Sequence, residues 1–176
     1  MNDYSIGFSE FHYSVRGGAL LPLAGAVKIG FKPQMNERSI QVRLLDGSFA
    51  VYSEVYDLNE KASIEIISLP EHFLINILGY TRDESGVLYA GIYKPVHFSL
   101  FYEERNEGTA TRHQLYDVVC TKPDFDASTM TNRLSVDTRR LELVINRDIR
   151  NTGYYKRQIR KEDNSELFER WFGLEG

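Results

Sequence analysis

The chain has 176 residues, 42% hydrophobic and 26% charged, a balance that suits one domain, or a domain with an appended arm. At this length roughly 70% of the unfolded surface can be buried, and the single cysteine, Cys120, excludes an intramolecular disulfide framework. The net formal charge of −4 argues against nucleic-acid binding through bulk positive charge. No apolar run approaches the ~18 residues of a membrane span, since the longest, 19–27, is broken by Pro22 and Gly25. The first residues carry neither a basic nor an apolar signal-peptide region, so a soluble, cytoplasmic globular domain is expected.

In chain order the segments read mostly as strands, rich in aromatics. Around 6–13 these fall on both parities, Phe8 and His12 against Phe11 and Tyr13, so neither face can be assigned. Ile40-Gln41-Val42-Arg43-Leu44 alternates cleanly, Asp46-Gly47 is a strong hairpin signal, and 49–56 returns as the partner strand. Ile40, Val42 and Leu44 then form an apolar face, with Gln41 and Arg43 on a polar one. Ala62 to Ile66 alternates again. Ser68-Leu69-Pro70-Glu71 fits a capping box, Ser68 at N-cap and Glu71 at N3, and predicts a helix near 69–78. That helix carries Phe73, Leu74, Ile77 and Leu78 and stops at Gly79.

Three more strands follow. One spans 96–102, with Val96, Phe98, Leu100 and Tyr102 on one face; the others, 115–121 and 141–146, are rich in β-branched residues. Asp163-Asn164-Ser165-Glu166 can cap a terminal helix whose Leu167, Phe168, Trp171 and Phe172 make one apolar stripe, closed by Gly173. A helix this short is marginal alone in water, so the stripe must dock, either on its own domain or on a neighbouring copy. Residues 147–161 carry six basic side chains against Asp148, whereas 162–176 carry five acidic ones against Arg170. These blocks can pair within the chain, pair between copies, or simply be solvated. The expected organisation is a β-sandwich domain over 1–150, with the helix near 69–78, and a C-terminal arm over 151–176 with a short helix. Residues 1–5, 122–133 and 150–176 are expected to be loose in the free protein.

Chemistry is scarce. His12, His72, His97 and His113 lack metal-type spacing and read as surface or interface residues. Cys120, in Val118-Val119-Cys120, reads as a buried inert thiol. Glu103-Glu104 and Asp124/Asp126 are carboxylate pairs that spacing alone does not place across a cleft. With no nucleophile elbow, Walker loop or dinucleotide fingerprint, the expectation is a non-enzyme without cofactor or metal.

The order of segments goes further. An aromatic start, Ile6-Gly7-Phe8-Ser9-Glu10-Phe11-His12-Tyr13, leads into Leu23-Ala24-Gly25-Ala26-Val27-Lys28-Ile29. Then come Leu69-Pro70-Glu71, Ile77-Leu78-Gly79-Tyr80, Asp83-Glu84-Ser85-Gly86-Val87, the strand from Lys94-Pro95-Val96-His97-Phe98, and a closing Trp171-Phe172. Over nearly the whole chain this order resembles the major tail tube proteins of long-tailed, non-contractile bacteriophages. Two departures stand out. Bulkier residues follow Pro95 than the family often has, and no immunoglobulin-like domain follows the core.

The resemblance implies a mainly β fold, a barrel-forming β-sandwich with one flanking α-helix. It implies hexameric rings stacking into a tube, each subunit giving strands to an inner barrel. Six copies giving four strands each make ~24 strands, a circumference of about 160 Å and a bore of roughly 40 Å. The implied partners are further copies of the chain, a tape-measure protein, and tail-terminator and distal tail proteins. Genomic DNA would transit the lumen without specific binding, no membrane is involved, and the location is the virion tail, assembled in the host cytoplasm. Within this reading the hairpin 39–45/49–56 lines the barrel, with Gln41 and Arg43 facing the lumen. A β-sandwich module binding a ligand such as a carbohydrate is the competing class, and a tube from a contractile tail or related injection machine shares the fold.

Overall fold

The computed structural model describes residues 7–32, 35–57, 60–106, 108–121, 138–148 and 153–173, with backbone alone at 35–38 and 54–57. The expected mainly β fold with a helix and a short C-terminal helix is present. The central strands are β9 (His97–Asn106) and β10 (Thr109–Cys120), an antiparallel pair on which the rest is built. On the far side of β9 lies β1 (Gly7–Val15), edged by the two-residue β2 (Leu21–Pro22). The other edge of β10 is shared. Its first half pairs with β12 (Lys156–Arg160) and its second half with β11 (Arg139–Asn146). From β11 the sheet continues through β6 (Glu60–Ile66) to β3 (Ala26–Lys32), which comes back alongside β1 without pairing to it. The sheet curls around one core but stays open.

Bulges explain where period-2 reading is ambiguous. In β1 the register shifts between Ser9 and His12, and Glu10 takes a positive φ of 53°. The extra residue lets Phe8 and Phe11, three apart, both face Tyr102, at 6.2 and 5.8 Å between rings. His12 is turned to the other side, onto Phe172. A second shift between Leu115 and Val118 puts both of these in the core. With Tyr13, Ile64, Phe98 and Leu143 they belong to one buried cluster, each large apolar side chain contributing about 1.5–3 kcal/mol.

The helix α1 runs over Glu71–Asn76, shorter than the expected 69–78. Ser68 is not its cap: Pro70 occupies that position in extended conformation, with no side-chain cap bond. The strand end is tied elsewhere, by the Ile67 N–H donating to the Gly25 carbonyl, and Glu71 accepts from Arg82 at 2.8 Å instead of reaching back. Phe73 and Ile77 seat the helix in the core, and the Tyr13 hydroxyl, buried and so raised in pKa, lies 2.8 Å from His72 Nδ1. Gly79, at φ +74°, lies two residues past the C-cap Ile77 and so is not the C′ stop expected; it leads to the small hairpin β7 (Tyr80–Arg82) and β8 (Leu88–Ala90).

The stretch expected as an appended arm begins inside the main sheet, because β12 is one of its strands. Within the C-terminal stretch expected to be loose in the free protein, the described residues 153–173 form β12, then α2 (Ser165–Arg170) and a closing 3-10 turn, Trp171–Gly173. The expectations for 1–5 and 122–133 lie outside the described residues.

Candidate functional site

The strands β4 (Met35–Arg43) and β5 (Phe49–Asp57) form a two-stranded sheet of their own. Each is nine residues, about 30 Å of extended chain. The β3–β6 pairing ends at Lys32 opposite Lys61, and the hairpin's own pairing begins at Met35 opposite Asp57. The turn forms where Asp46-Gly47 requires it. Gly47 sits at φ +84°, its N–H donating to the Leu44 carbonyl, and Asp46 accepts from the Ser48 N–H and hydroxyl. Those bonds hold the Asp46 carboxyl below its usual pKa.

Cross-strand register decides what each face of the hairpin carries. Ile40 lies opposite Tyr52 and Val42 opposite Ala50; Gln41 lies opposite Val51 and Arg43 opposite Phe49. Gln41 and Arg43 do alternate with Ile40, Val42 and Leu44, but the face expected to be polar also bears Val51 and Phe49. The partner strand places Phe49 and Val51 directly across from Arg43 and Gln41. Both faces are therefore apolar in part, and both are wet: Phe49 is 65% exposed, Val51 59%, Tyr52 61%, and Leu45 at the tip is fully exposed. A hairpin of two strands is marginal in water, and its two outer edges have no strand partner among the described residues.

The C-terminal stripe behaves in the opposite way. Phe168 and Trp171 pack with Ile159 of β12, and Phe172 and Ala110 join at the edge. Asn164 caps α2, accepting from the Leu167 N–H at 2.9 Å. Leu167 does not belong to the stripe: at 37% exposure it points away, because the helix gives way to the 3-10 turn that carries Trp171 and Phe172. The sheet beneath is cationic. The Arg112 guanidinium lies 4.1 Å from the Phe168 ring centre and 4.4 Å from that of Phe172, and Arg157 lies 4.6 Å from Trp171. Arg112 also donates to the Phe168 carbonyl and, from Nε, to Glu103 at 2.8 Å. Glu103, 2% exposed, accepts a second bond from Arg105 at 2.6 Å. Burial alone would raise its carboxyl, but the bonds from Arg112 and Arg105 outweigh it and hold the group below its ordinary range. Of the two charge blocks, Lys161 reaches Glu169 at 3.2 Å and Arg160 approaches Glu162 at 3.8 Å, pairs within one chain.

The remaining polar groups are largely structural. Cys120 is fully buried, as expected, and burial pushes its thiol up to about 12. His97 sits 2.6 Å from Asp117 on the surface. His113, expected at a surface or interface, is instead buried at 3% exposure, because Tyr102 stacks on it at 4.6 Å and the sheet encloses it. It lines a depression of about 360 Å³ with Glu104, Thr111, Lys156, Gln158 and Arg160, among others, none of them aromatic. Glu103 and Glu104 point to opposite sides of β9, the first under the arm and the second into this depression, so they do not face one another as a catalytic pair. The pair Asp124/Asp126 lies outside the described residues. Among the described residues no helix is long and apolar enough to cross a membrane, and no group of three His, Cys, Asp or Glu could hold a metal ion.

Sequence reasoning located the hairpin but missed Glu103 and Arg112 as the seat of the C-terminal helix. The signal available was Glu103, a charged residue in a strand whose preceding residues read as buried. No protein-family model matches the chain, and no curated protein matches its sequence.

Proposed function

We propose that the chain is a self-assembling structural protein, the subunit of a phage-type tail tube in which rings of copies stack into a conduit for DNA. The observation that carries this reading is the β4–β5 hairpin, which exposes Leu45, Phe49, Val51 and Tyr52 and whose two edges have no strand partner among the described residues. Neighbouring copies satisfy both demands at once, covering the apolar side chains and completing the ladder into a closed wall without edges. The main sheet, which stays open, is suited to contribute further strands. Six copies of a −4 subunit make a conduit that repels phosphate and does not retain it. The tape-measure protein and the tail-terminator and distal tail proteins are the partners this role requires, and the virion is its location.

Size-exclusion chromatography with light scattering and negative-stain imaging of the purified chain tests the proposal. Rings or filaments with a central bore at raised protein concentration are expected. A strict monomer at every concentration, with the hairpin equally open to solvent, contradicts it.

A further inference from the structure

We propose that His113 and the charges around it form an acid-sensitive latch holding β12, and with it the C-terminal helix, against β10. The inference is independent of the tube reading. His113 lies on the inner face of β10, directly opposite Gln158 of β12. Its Nε2 is 3.2 Å from Glu104 Oε2 on β9, which as a carboxylate accepts the ring's one N–H. Its Nδ1 is buried and has no hydrogen-bond partner among the described residues, so a second ring proton has no acceptor there.

The charges facing the ring come from three elements. Tyr102 and Glu104 stand on β9, Lys156 and Arg160 on β12, and Glu162 at the rim, while Glu60 of β6 acts on Lys156 and Tyr102. Burial, and then the positive charge of Lys156, resist protonation; the attraction of Glu104 works the other way and is outweighed. The ring's pKa is thereby pushed down to about 4.

Topology decides what opens. β9 and β10 are interior strands, whereas β12 pairs with β10 alone among the described residues and is five residues long. Releasing β12 is the smallest opening that hydrates the ring, and it takes away Lys156 in the same step. Because Ile159 packs under Phe168 and Trp171, the C-terminal helix leaves with it. As pH falls below the ordinary histidine value of 6.5, the open state gains a proton that the closed state refuses, so opening becomes more frequent.

Hydrogen–deuterium exchange on the full chain at pH 7.5 and pH 5.0, corrected for intrinsic exchange, tests this. Opening of 156–172 is expected to rise about thirtyfold between the two, with β6 and β11 far less affected, and His113→Gln is expected to abolish that difference. Lys156→Met is expected to shrink it. Equal loosening of β6 and β11, or an unchanged pH dependence in H113Q, overturns the latch. Should H113Q not fold, NMR titration of the His113 ring in the unsubstituted protein decides the matter: a ring that stays neutral at pH 5 while the sheet is closed supports the latch, and one that titrates near 6.5 in the closed sheet overturns it.

Discussion

The β4–β5 hairpin and the C-terminal helix carry similar apolar stripes and end up with opposite fates. The helix buries Phe168 and Trp171 against its own sheet, which offers Ile159 and two guanidinium planes. The hairpin leaves Phe49, Val51 and Leu45 in water, with no part of its own chain packed over them among the described residues. The stripe alone does not decide which happens; what decides is whether the chain also supplies a complementary face. Apolar surface that is spent inside stabilises the subunit, whereas apolar surface left outside is available to a neighbour.

The contrast can be broken first at its strongest point. Trp171→Ala removes an aromatic that is nearly fully buried at home and is expected to cost about 3–5 kcal/mol, lowering Tm by on the order of 10 °C. A thermal melt of the monomer checks this; an unchanged Tm would mean that the helix packs elsewhere. Arg112→Ala strips the cation from between Phe168 and Phe172 and leaves buried Glu103 with Arg105 alone. A loss of about 3 kcal/mol in urea unfolding is expected, with Arg112→Lys recovering only part of it, because an ammonium lacks the planar fork.

Acid should act on the same region. The folded His113 titrates at about 4 and the unfolded one near 6.5, so the unfolded state binds the proton first as pH falls. Stability is unaffected by this group above about pH 6.5 and falls by up to about 3 kcal/mol as pH drops to 4. Glu103, held below the ordinary carboxylate range, adds a second loss lower down: its contribution is present above its unfolded pKa and disappears as pH falls through the folded one. Unfolding midpoints measured between pH 8 and pH 3 should fall in two stages, the first absent in His113→Gln.

How much of this was legible in the sequence follows from the same physics. The hairpin was readable because alternation and Asp46-Gly47 agree locally, and the turn bonds form among neighbours in the chain. Its face composition was not, because cross-strand register brings Val51 beside Gln41 and Phe49 beside Arg43. The first half of β10 and all of β12 are mostly polar or basic in sequence, since their outer face is covered through Arg112, Gln114 and Arg157 with Ile159 as the one large aliphatic side chain among them. The face of β1 was ambiguous because the bulge at Glu10 changes parity midway. The capping box failed at Ser68 because Pro70, extended, takes the cap position two residues later.

The smallest expected effect on stability is the most informative about function. Replacing Leu45, Phe49 and Val51 together by Ser should leave the monomer's unfolding free energy within about 1 kcal/mol of the parent, since these side chains are already in water. The same three changes are expected to abolish assembly. Parent and triple variant, matched in concentration, are compared by light scattering and negative-stain imaging. Rings or filaments are expected for the parent and a stable, folded monomer for the variant. A variant that assembles like the parent would contradict the proposal, and so would one that loses the fold along with the assembly.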